Sequence, residues 1–302
     1  FPSRKKGINA WITIMRGCDK FCTFCIVPFT RGRERSRSID GIVNEIKNAV
    51  KDGFTEVTLL GQNVNSYNFD GQKFHVLLEN VARVPGLKRL RYTSPHPQDI
   101  TIELLDIMAR YDNICNSIHL PLQSGSDRIL KRMNRTYTSD HFINIVRKIR
   151  EILPDAGIST DIIVGFPGES EKDFSATINV MEKINFDSAF TFKYSPRNGT
   201  KASGYEDQIN EDIKQKRLEQ IISLQKSHTI LRNQSYLGKI ENVLIEKQSK
   251  RNIGKWAGRT DSNKWVIFDK DHASIKDIVP VLIMEARGIT LHGKIINKAK
   301  AA

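Results

Sequence analysis

Residues 18–25 read Cys-Asp-Lys-Phe-Cys-Thr-Phe-Cys and place three thiols in one loop, directly after a β-rich run over residues 9–15. The fourth cysteine, Cys115, lies 90 positions further on, so the cysteines do not form a disulfide framework. Iron–sulfur cubanes are usually held by four thiolates, and three thiolates leave one iron open to an exogenous ligand. We therefore predict an open cluster whose free iron takes the amino and carboxylate groups of S-adenosylmethionine.

Two other interpretations of this loop are a zinc site completed by Cys115 or a histidine, and three unrelated thiols. Zinc sites usually arrange their ligands as two close pairs, which is not the pattern here. Cys115 precedes the fourth β-rich run and so lies at the end of that strand away from the loop. We expect it to be a buried apolar residue, and the cluster is the favoured interpretation.

Six β-rich runs alternate with helical patterns along the chain, which predicts a parallel sheet. The runs cover residues 9–15, 56–60, 89–93, 116–120, 158–164 and 188–194. Helices are predicted between them, over roughly residues 40–52, 74–84, 99–110, 126–133, 139–152 and 170–184. The first begins after a Ser38 cap and stops at Gly53. Polar, Gly and Pro residues follow each run, and in a parallel barrel these carboxyl ends form the rim where sites are built.

The pattern changes after about residue 200. A long amphipathic helix is predicted from about residue 211 to 235. Short β-like runs follow over residues 242–246, 264–268, 279–285 and 288–295, and they predict a small antiparallel barrel. The predicted domains are therefore residues 1–235 and 236–302. The second domain carries 13 Lys and Arg residues against 7 Asp and Glu residues.

The chain is strongly basic, with 47 Lys and Arg against 34 Asp and Glu in 302 residues, a net charge of +13. This balance favours a polyanionic partner such as nucleic acid, the alternative being a generally basic soluble enzyme. The composition excludes collagen and wholesale disorder. No apolar run approaches the roughly 20 residues that span a bilayer, and no secretory signal is recognised. We expect a cytoplasmic protein without a membrane partner and, because the sequence begins at Phe1, part of a longer chain.

The C-x3-C-x2-C loop, with an aromatic residue before its last cysteine, resembles that of the radical S-adenosylmethionine superfamily. Stretches that are similar to the methylthiotransferases of that superfamily cover residues 59–67, 118–126, 132–138, 161–169 and 194–200. Residues 61–67, Gly-Gln-Asn-Val-Asn-Ser-Tyr, resemble those of the tRNA enzymes that methylthiolate isopentenyladenosine beside the anticodon. The C-terminal residues resemble the RNA-binding TRAM domain. The resemblance implies an α/β fold, a partial (βα)6 radical-SAM barrel followed by a small all-β TRAM barrel of OB-like type.

The same resemblance implies roles for individual residues. Cys18, Cys22 and Cys25 hold a [4Fe-4S] cluster, and Phe24 packs near the adenine of bound S-adenosylmethionine. The other predicted cofactor contacts are Gln62, Asn63, Ser94, Gln123, Ser124, Arg135 and Asp161. Arg135 suits a carboxylate because its planar fork binds both oxygens, with a solvent-facing helix end as the alternative.

Basic residues near the loop and in the C-terminal domain are predicted to contact RNA. They are Arg31, Arg33, Arg35, Lys247, Arg251, Lys255 and Arg259. Arg31, Arg33 and Arg35 stand at alternate positions, so an extended segment would place all three on one face. A solvated run of charges is the alternative. Trp256 and Trp265 could stack on exposed bases or belong to the core of the small barrel.

The activity implied by the resemblance is the addition of a methylthio group to C2 of N6-isopentenyladenosine at position 37, with the tRNA anticodon stem-loop as partner. A second [4Fe-4S] cluster would supply sulfur from an N-terminal methylthiotransferase domain that these residues do not include. A one-electron reductant of flavodoxin or ferredoxin type and a monomeric state are expected. Alternative substrates are threonylcarbamoyladenosine in tRNA or a ribosomal protein, which Gln62 and Asn65 disfavour. A non-catalytic RNA-binding module is a further alternative, which the three intact cysteines disfavour.

Overall fold

The computed structural model describes residues 7–296, so the ends of both predicted domains, residues 1–6 and 297–302, lie outside the described residues. All six β-rich runs form strands: β1 Asn9–Thr13, β2 Glu56–Leu60, β3 Arg89–Tyr92, β4 Ser117–His119, β5 Gly157–Val164 and β6 Ser188–Lys193. The α-helices are α1 Val27–Arg31, α2 Ile39–Lys51, α3 Phe74–Ala82, α4 Ile102–Arg110, α5 Asp127–Arg132, α6 Ser139–Ile152, α7 Glu171–Ile184 and α8 Glu211–Gln234. The predicted strands and helices are thus confirmed to within a few residues at their ends.

The six strands form two parallel sheets of three strands each, in the orders β1–β2–β3 and β6–β5–β4. A single parallel bridge between Leu90 and Ile114 links β3 to the segment that enters β4. Within residues 7–296, no strand pairs with the outer edge of β1 or of β6. The result is the predicted partial barrel, which is open on the side between β1 and β6.

The two faces of each strand have different environments. Ala10 and Ile12 of β1 are buried in one cluster with Ile42 and Ile46 of α2. The alternate residue, Trp11, lies on the opposite, concave face and is 58% exposed. Because the barrel is incomplete, side chains on its concave face remain accessible.

The predicted helix cap is confirmed, since Ser38 accepts a hydrogen bond from the backbone of Gly41.

The C-terminal residues form a closed five-stranded barrel of β7 Ile240–Gln248, β8 Lys255–Arg259, β9 Trp265–Asp269, β10 Ile278–Arg287 and β11 Thr290–Ile295. The predicted domain boundary falls between α8 and β7. Two expectations need correction. Sequence patterns missed β8, whose residues Ala257 and Gly258 are buried without a clear alternation. The barrel is also not wholly antiparallel, because β9 and β11 pair in parallel.

The small barrel packs against the amino ends of the large barrel's strands. Arg89, the first residue of β3, is 2% exposed and donates to the carbonyls of Arg259 and Asn242, at 2.6 Å each. Lys264 lies 2.8 Å from Asp187, which precedes β6. The cysteine loop follows the carboxyl end of β1, so the C-terminal domain covers the opposite end of the barrel.

Among the described residues, no helix is both long and apolar enough to cross a membrane.

Candidate functional site

The cysteine loop is fixed at both ends by backbone contacts. Residues Met15–Arg16 pair with Arg35–Ser36 as a short antiparallel ladder, and the backbone of Cys18 donates to Gly32 O at 3.2 Å. At the start of the loop, Gly17 N donates to Gln62 Oε1 at 2.8 Å. All three loop cysteines are partly accessible, whereas Cys115 is buried. The loop is therefore a closed structure that presents its thiols at the rim.

Gly17 is a position where only glycine fits, which gives a testable prediction. Its φ is +83°, and a Cβ added there would lie 2.1 Å from Arg33 O and 2.6 Å from Gly32 O. Those atoms are backbone and cannot move without opening the loop. We expect Gly17→Ala to lose most of the iron and sulfide that the reconstituted wild-type chain binds, as measured by anaerobic quantitation.

Gly71 provides the matched control for this substitution. Its φ is +82°, but a Cβ there would meet nothing within 4 Å. Gly71→Ala therefore carries only the left-handed backbone penalty of about 1–2 kcal/mol, and we expect it to retain the cluster. Full iron content in Gly17→Ala would show that the loop does not depend on this close approach.

The loop thiols are suited to bind a metal centre, which displaces their protons. Burial raises the pKa of Cys18 to about 11, and burial likewise raises the pKa of Cys25. Such thiols become ligands when a metal centre replaces the proton. Among residues 7–296, no three His, Cys, Asp or Glu side chains converge as they must around a single metal ion. A cluster in which each thiolate binds a different iron does not need that convergence.

Arg135 lies beside the loop rather than at a solvent-facing helix end. Its Nη1 is 3.3 Å from Cys22 Sγ, its Nη2 donates to Pro121 O at 3.2 Å, and its Nε donates to the hydroxyl of Tyr137 at 3.0 Å. The structure gives it no carboxylate partner among the described residues. The guanidinium therefore contacts the middle thiol of the loop and leaves capacity for an anionic group.

His96 is a neutral neighbour of this arginine. Its burial, together with the nearby cations Arg135 and Lys20, lowers its pKa to about 2. The ring packs edge-on against Tyr137, with centroids 5.6 Å apart. His96 is therefore an uncharged neighbour of Arg135.

A cavity of about 540 Å³ lies between the loop and the carboxyl ends of β5 and β6. Phe24, Cys25, Gln123 and Asp161 all line it. Gln123 is 8% exposed, has a φ of +68°, and its Oε1 has no hydrogen-bond partner among the described residues. A buried acceptor left unpaired in a cavity indicates a ligand that would donate to it. The cavity therefore fits a polar cofactor or substrate next to Cys25.

The other predicted cofactor contacts occupy different positions. Gln62 is used to hold Gly17, and Asn63 donates from Nδ2 to Asp99 at 3.1 Å while its buried Oδ1 stays unpaired. Ser94, after β3, has a φ of +56°. The structure does not bring Ser124 to the cavity. That residue is 0% exposed, and its hydroxyl contacts Thr177 and the backbone of Ser126 instead.

Sequence reasoning missed His119, the last residue of β4. Its Nε2 lies 3.3 Å from Asp161 Oδ2, and its Nδ1 lies 2.9 Å from Ser159 Oγ. His119 is therefore the side chain that lies beside the carboxylate of Asp161. The available signal was register, because β4 and β5 are parallel neighbours whose alternate residues share the concave face.

The sequence pattern of the Radical SAM superfamily matches residues 12–181, more than half of the chain. The chain belongs to the radical SAM superfamily. Residues 234–296 match the TRAM domain. The barrel therefore corresponds to the radical SAM domain and the small C-terminal barrel to the TRAM domain.

Similar curated proteins are named tRNA-2-methylthio-N(6)-dimethylallyladenosine synthase. Those of Acetivibrio thermocellus and Clostridium botulinum (strain Okra) are each 47% identical to this chain over 97% and 96% of its length. That of Carboxydothermus hydrogenoformans is 45% identical over 97% of the chain. The chain spans 62%, 65% and 67% of these relatives, respectively.

Solved structures with a similar fold are more distant in sequence. The radical S-adenosylmethionine methyltransferase TsrM of Kitasatospora setae has a TM-score of 0.55 at 17% identity, covering 65% of this chain and 39% of that one. The cobalamin-dependent radical enzyme OxsB has a TM-score of 0.50 at 14% identity, covering 68% and 30%. These similarities support the fold. Membership of the superfamily implies a [4Fe-4S] cluster and S-adenosylmethionine, and the loop and cavity described above fit both.

The arginines after the radical SAM loop do not share one face. Helix α1 ends at Arg31 and Gly32 follows with a φ of +76°, so the segment is not extended. Arg31 and Arg35 line a groove of about 930 Å³ beside Trp11. Arg33 points elsewhere and pairs with Asp19 at 2.6 Å.

Two of the predicted RNA contacts in the TRAM domain are engaged within the protein. Arg259 pairs with Glu246 at 2.5 Å and with Glu56 of the radical SAM domain at 3.2 Å, so it holds the domain junction. Lys255 lies 3.2 Å from Asp269.

The remaining two lie on the surface of the TRAM domain. Arg251 is exposed. Lys247 lies 4.3 Å from the ring of Trp265, where a cation and an aromatic face adjoin at the surface. Trp256 packs against the core and donates from its indole to Ala273 O at 3.1 Å.

Proposed function

We propose that this chain is the radical SAM and TRAM portion of a tRNA methylthiotransferase that adds a methylthio group to C2 of N6-isopentenyladenosine at position 37. The observation that carries the proposal is the cavity that joins Cys25 to Gln123 and Asp161 on the concave face of the barrel. The similarity to the named tRNA synthases over nearly the whole chain supports the same substrate. The anticodon stem-loop is then the partner.

The residues of the site have separate tasks in this reaction. When bound, a [4Fe-4S] cluster and S-adenosylmethionine supply reductive cleavage of the sulfonium, which generates the agent that removes hydrogen from the substrate carbon. Cys18, Cys22 and Cys25 would hold the cluster, and Arg135 would lie next to it through its contact with Cys22. Phe24 and Gln123 position the cofactor in the cavity. Phe24 is itself fixed edge-on against Phe166, with centroids 6.4 Å apart.

The sulfur must come from outside this sequence. The chain has four cysteines, of which three form the loop and Cys115 is buried. A second cluster held by three further thiolates therefore needs residues that these 302 do not include. We propose that a methylthiotransferase domain N-terminal to them provides this auxiliary cluster. We also propose a cytoplasmic monomer that is reduced by a flavodoxin or ferredoxin.

Hydrogen abstraction can be tested without the sulfur donor. The reconstituted chain is reduced with dithionite and given S-adenosylmethionine and an anticodon stem-loop deuterated at C2 of its N6-isopentenyladenine. We expect deuterium in the 5′-deoxyadenosine product, measured by mass spectrometry. Stem-loops with unmodified or threonylcarbamoyl adenine, and a ribosomal-protein peptide, are tested as competitor substrates, each with deuterium at the carbon that would react. Absence of deuterium transfer from the isopentenyl RNA, or equal transfer from a competitor, would reject the proposed substrate.

The arginine groove predicts a salt-dependent contribution to RNA binding. Arg16, Arg31 and Arg35 have no acidic partner in the part of the chain that the structure describes, so they are available to phosphates. Each phosphate contact contributes about 0.9 to the slope of log affinity against log salt concentration. Arg31→Ala with Arg35→Ala should therefore weaken stem-loop binding and reduce that slope by about 2, measured by fluorescence anisotropy.

Arg147 provides a control for general loss of charge. It lies on the exposed surface of α6, 3.8 Å from Glu151. Arg147→Ala should leave both affinity and slope nearly unchanged. An unchanged salt slope in the double arginine variant would exclude the groove from the RNA interface.

A further inference from the structure

A second groove reaches the cysteine loop from the outer surface of the barrel. Its volume is about 620 Å³, and its lining includes Cys22 and Cys25 of the loop, residues of helix α5, and Lys201 and Tyr205. The cavity assigned to the cofactor has a different lining, and Cys25 is the one residue common to both. The loop cysteines can therefore be approached from two directions.

Apolar side chains separate this outer groove from the cofactor cavity. Phe166 and Ile129 of α5 are buried in one small apolar cluster, against which Phe24 and Tyr205 pack. Phe24 lines the cofactor cavity, whereas Tyr205 lines the outer groove. A partner in the outer groove thus reaches the loop without entering the cavity.

The outer groove is positively charged. None of the residues that line it is acidic, and four are basic: Arg128, Lys131, Arg132 and Lys201. Arg128 forms an ion pair with Asp173, and Arg132 lies 2.7 Å from Asp207. Lys131 and Lys201 are exposed and have no ion-pair partner among residues 7–296. The two free ammonium groups favour the approach of an acidic partner.

Two exposed aromatic rings lie in the lining of the same groove. Phe21 and Phe29 are 41% and 66% exposed, and their rings meet edge to face with centroids 6.4 Å apart. Protein interfaces commonly combine an aromatic centre with a polar rim, and those of electron-transfer complexes are small. The exposed hydrocarbon edge of a flavin is an aromatic group that such a pair of rings contacts favourably. The groove therefore fits a small, transient interface with a flavoprotein.

We propose that the outer groove is the docking surface for a reduced, acidic flavodoxin, an inference that rests on the proposed function. Lys131 and Lys201 attract its carboxylates, and Phe21 and Phe29 contact the edge of its flavin. One electron passes from the reduced flavin to the cluster, so the flavin is oxidised by one electron and the cluster reduced by one, without proton transfer or bond cleavage. RNA approaches the concave face instead, since its target adenine has to reach the cofactor cavity.

The test measures flavodoxin binding and compares two reductants. The full-length protein is reconstituted anaerobically, and its affinity for an acidic flavodoxin that carries a fluorophore is measured by fluorescence anisotropy at several salt concentrations. We expect the affinity to fall as salt rises. The rate of 5′-deoxyadenosine formation is then measured with reduced flavodoxin and, separately, with dithionite, which needs no docking surface.

Variants assign the binding to the groove. Lys131→Ala with Lys201→Ala should weaken flavodoxin binding about 10-fold at low salt, the scale of two exposed ion pairs. The flavodoxin-driven rate should fall with it, and the dithionite-driven rate should stay at the wild-type value. Phe29→Ala should weaken binding without changing its salt dependence.

A second double variant is the charge control. Lys47→Ala with Lys148→Ala removes the same charge from exposed positions on α2 and α6, and it should retain the wild-type affinity for flavodoxin.

Three outcomes overturn the inference. One is wild-type flavodoxin affinity in the Lys131 and Lys201 double variant. Another is a parallel fall of its dithionite-driven rate, because the lysines would then support the loop rather than a partner. The third is weaker binding of the anticodon stem-loop with unchanged flavodoxin binding, which would assign the groove to RNA.

Failure of the docking surface and failure of the proposed function are distinguishable. The deuterium-transfer experiment uses dithionite and therefore does not depend on flavodoxin. Deuterium transfer together with flavodoxin binding that is independent of Lys131 and Lys201 rejects the docking surface alone. Absence of transfer together with flavodoxin binding that depends on these lysines rejects the proposed substrate alone.

Discussion

Cys22→Ala is expected to abolish the iron–sulfur cluster and, with it, the formation of 5′-deoxyadenosine from S-adenosylmethionine. Cys22 is the middle thiol of the loop and the one that Arg135 contacts, at 3.3 Å. Two thiolates cannot replace three, because each thiolate of such a loop binds a different iron. The measurement is anaerobic iron and sulfide content per chain, followed by chromatography of the products after dithionite reduction.

Cys115→Ala is the matched control, since it removes the one cysteine outside the loop. Cys115 is 2% exposed and its Sγ lies 3.8 Å from Asp261 of the TRAM domain, at the end of the barrel opposite the loop. This variant should retain iron, sulfide and cofactor cleavage. An unchanged cleavage rate in Cys22→Ala, or its loss in Cys115→Ala, would contradict the assignment of the cluster to the loop.

Arg89→Ala is expected to produce the largest loss of stability at the domain junction. The buried guanidinium satisfies two carbonyls of the TRAM domain and lies 2.8 Å from Asp261. Its removal leaves these acceptors facing an apolar side chain without solvent. Leaving a buried hydrogen-bond acceptor without its donor costs about 1–3 kcal/mol of unfolding free energy for each group. Calorimetry and limited proteolysis between the two domains are the measurements.

Lys276→Ala tests whether any contact across the junction has the same effect. Lys276 also bridges the domains, donating from Nζ to Gly53 O at 2.7 Å, but this contact is exposed to solvent. Water can replace it, so the change in stability should be small. If Arg89→Ala is no less stable than Lys276→Ala, the buried arginine does not hold the junction.

Local patterns in the sequence were sufficient for the order of elements and for the cysteine loop. The six strands of the barrel and the helices between them are each specified by the spacing of their own apolar residues, so their existence was predictable without knowing the fold. Strand β8 was not, because Ala257 and Gly258 have no distinctive alternation. A Cβ at Gly258 would lie 2.2 Å from Leu244 O, so the close approach of β7 decides that this segment is a strand.

Contacts between residues that are far apart in the sequence decided the rest of the site. The sequence places Arg31, Arg33 and Arg35 at equal spacing, yet the turn at Gly32 sends Arg33 to Asp19 and leaves the other two in the groove. Arg259 was predicted as an RNA contact from charge alone, and docking of the TRAM domain brings it to Glu56.

The amino-acid sequence by itself thus determined the three thiols of the loop and the set of secondary-structure elements, because both depend on residues close in sequence. Only the tertiary structure paired His119 with Asp161 and directed that carboxylate into the cavity beside Cys25. The physical reason is that parallel strands from distant segments meet in a register set by the packing of the whole barrel. No spacing within a single segment encodes that register.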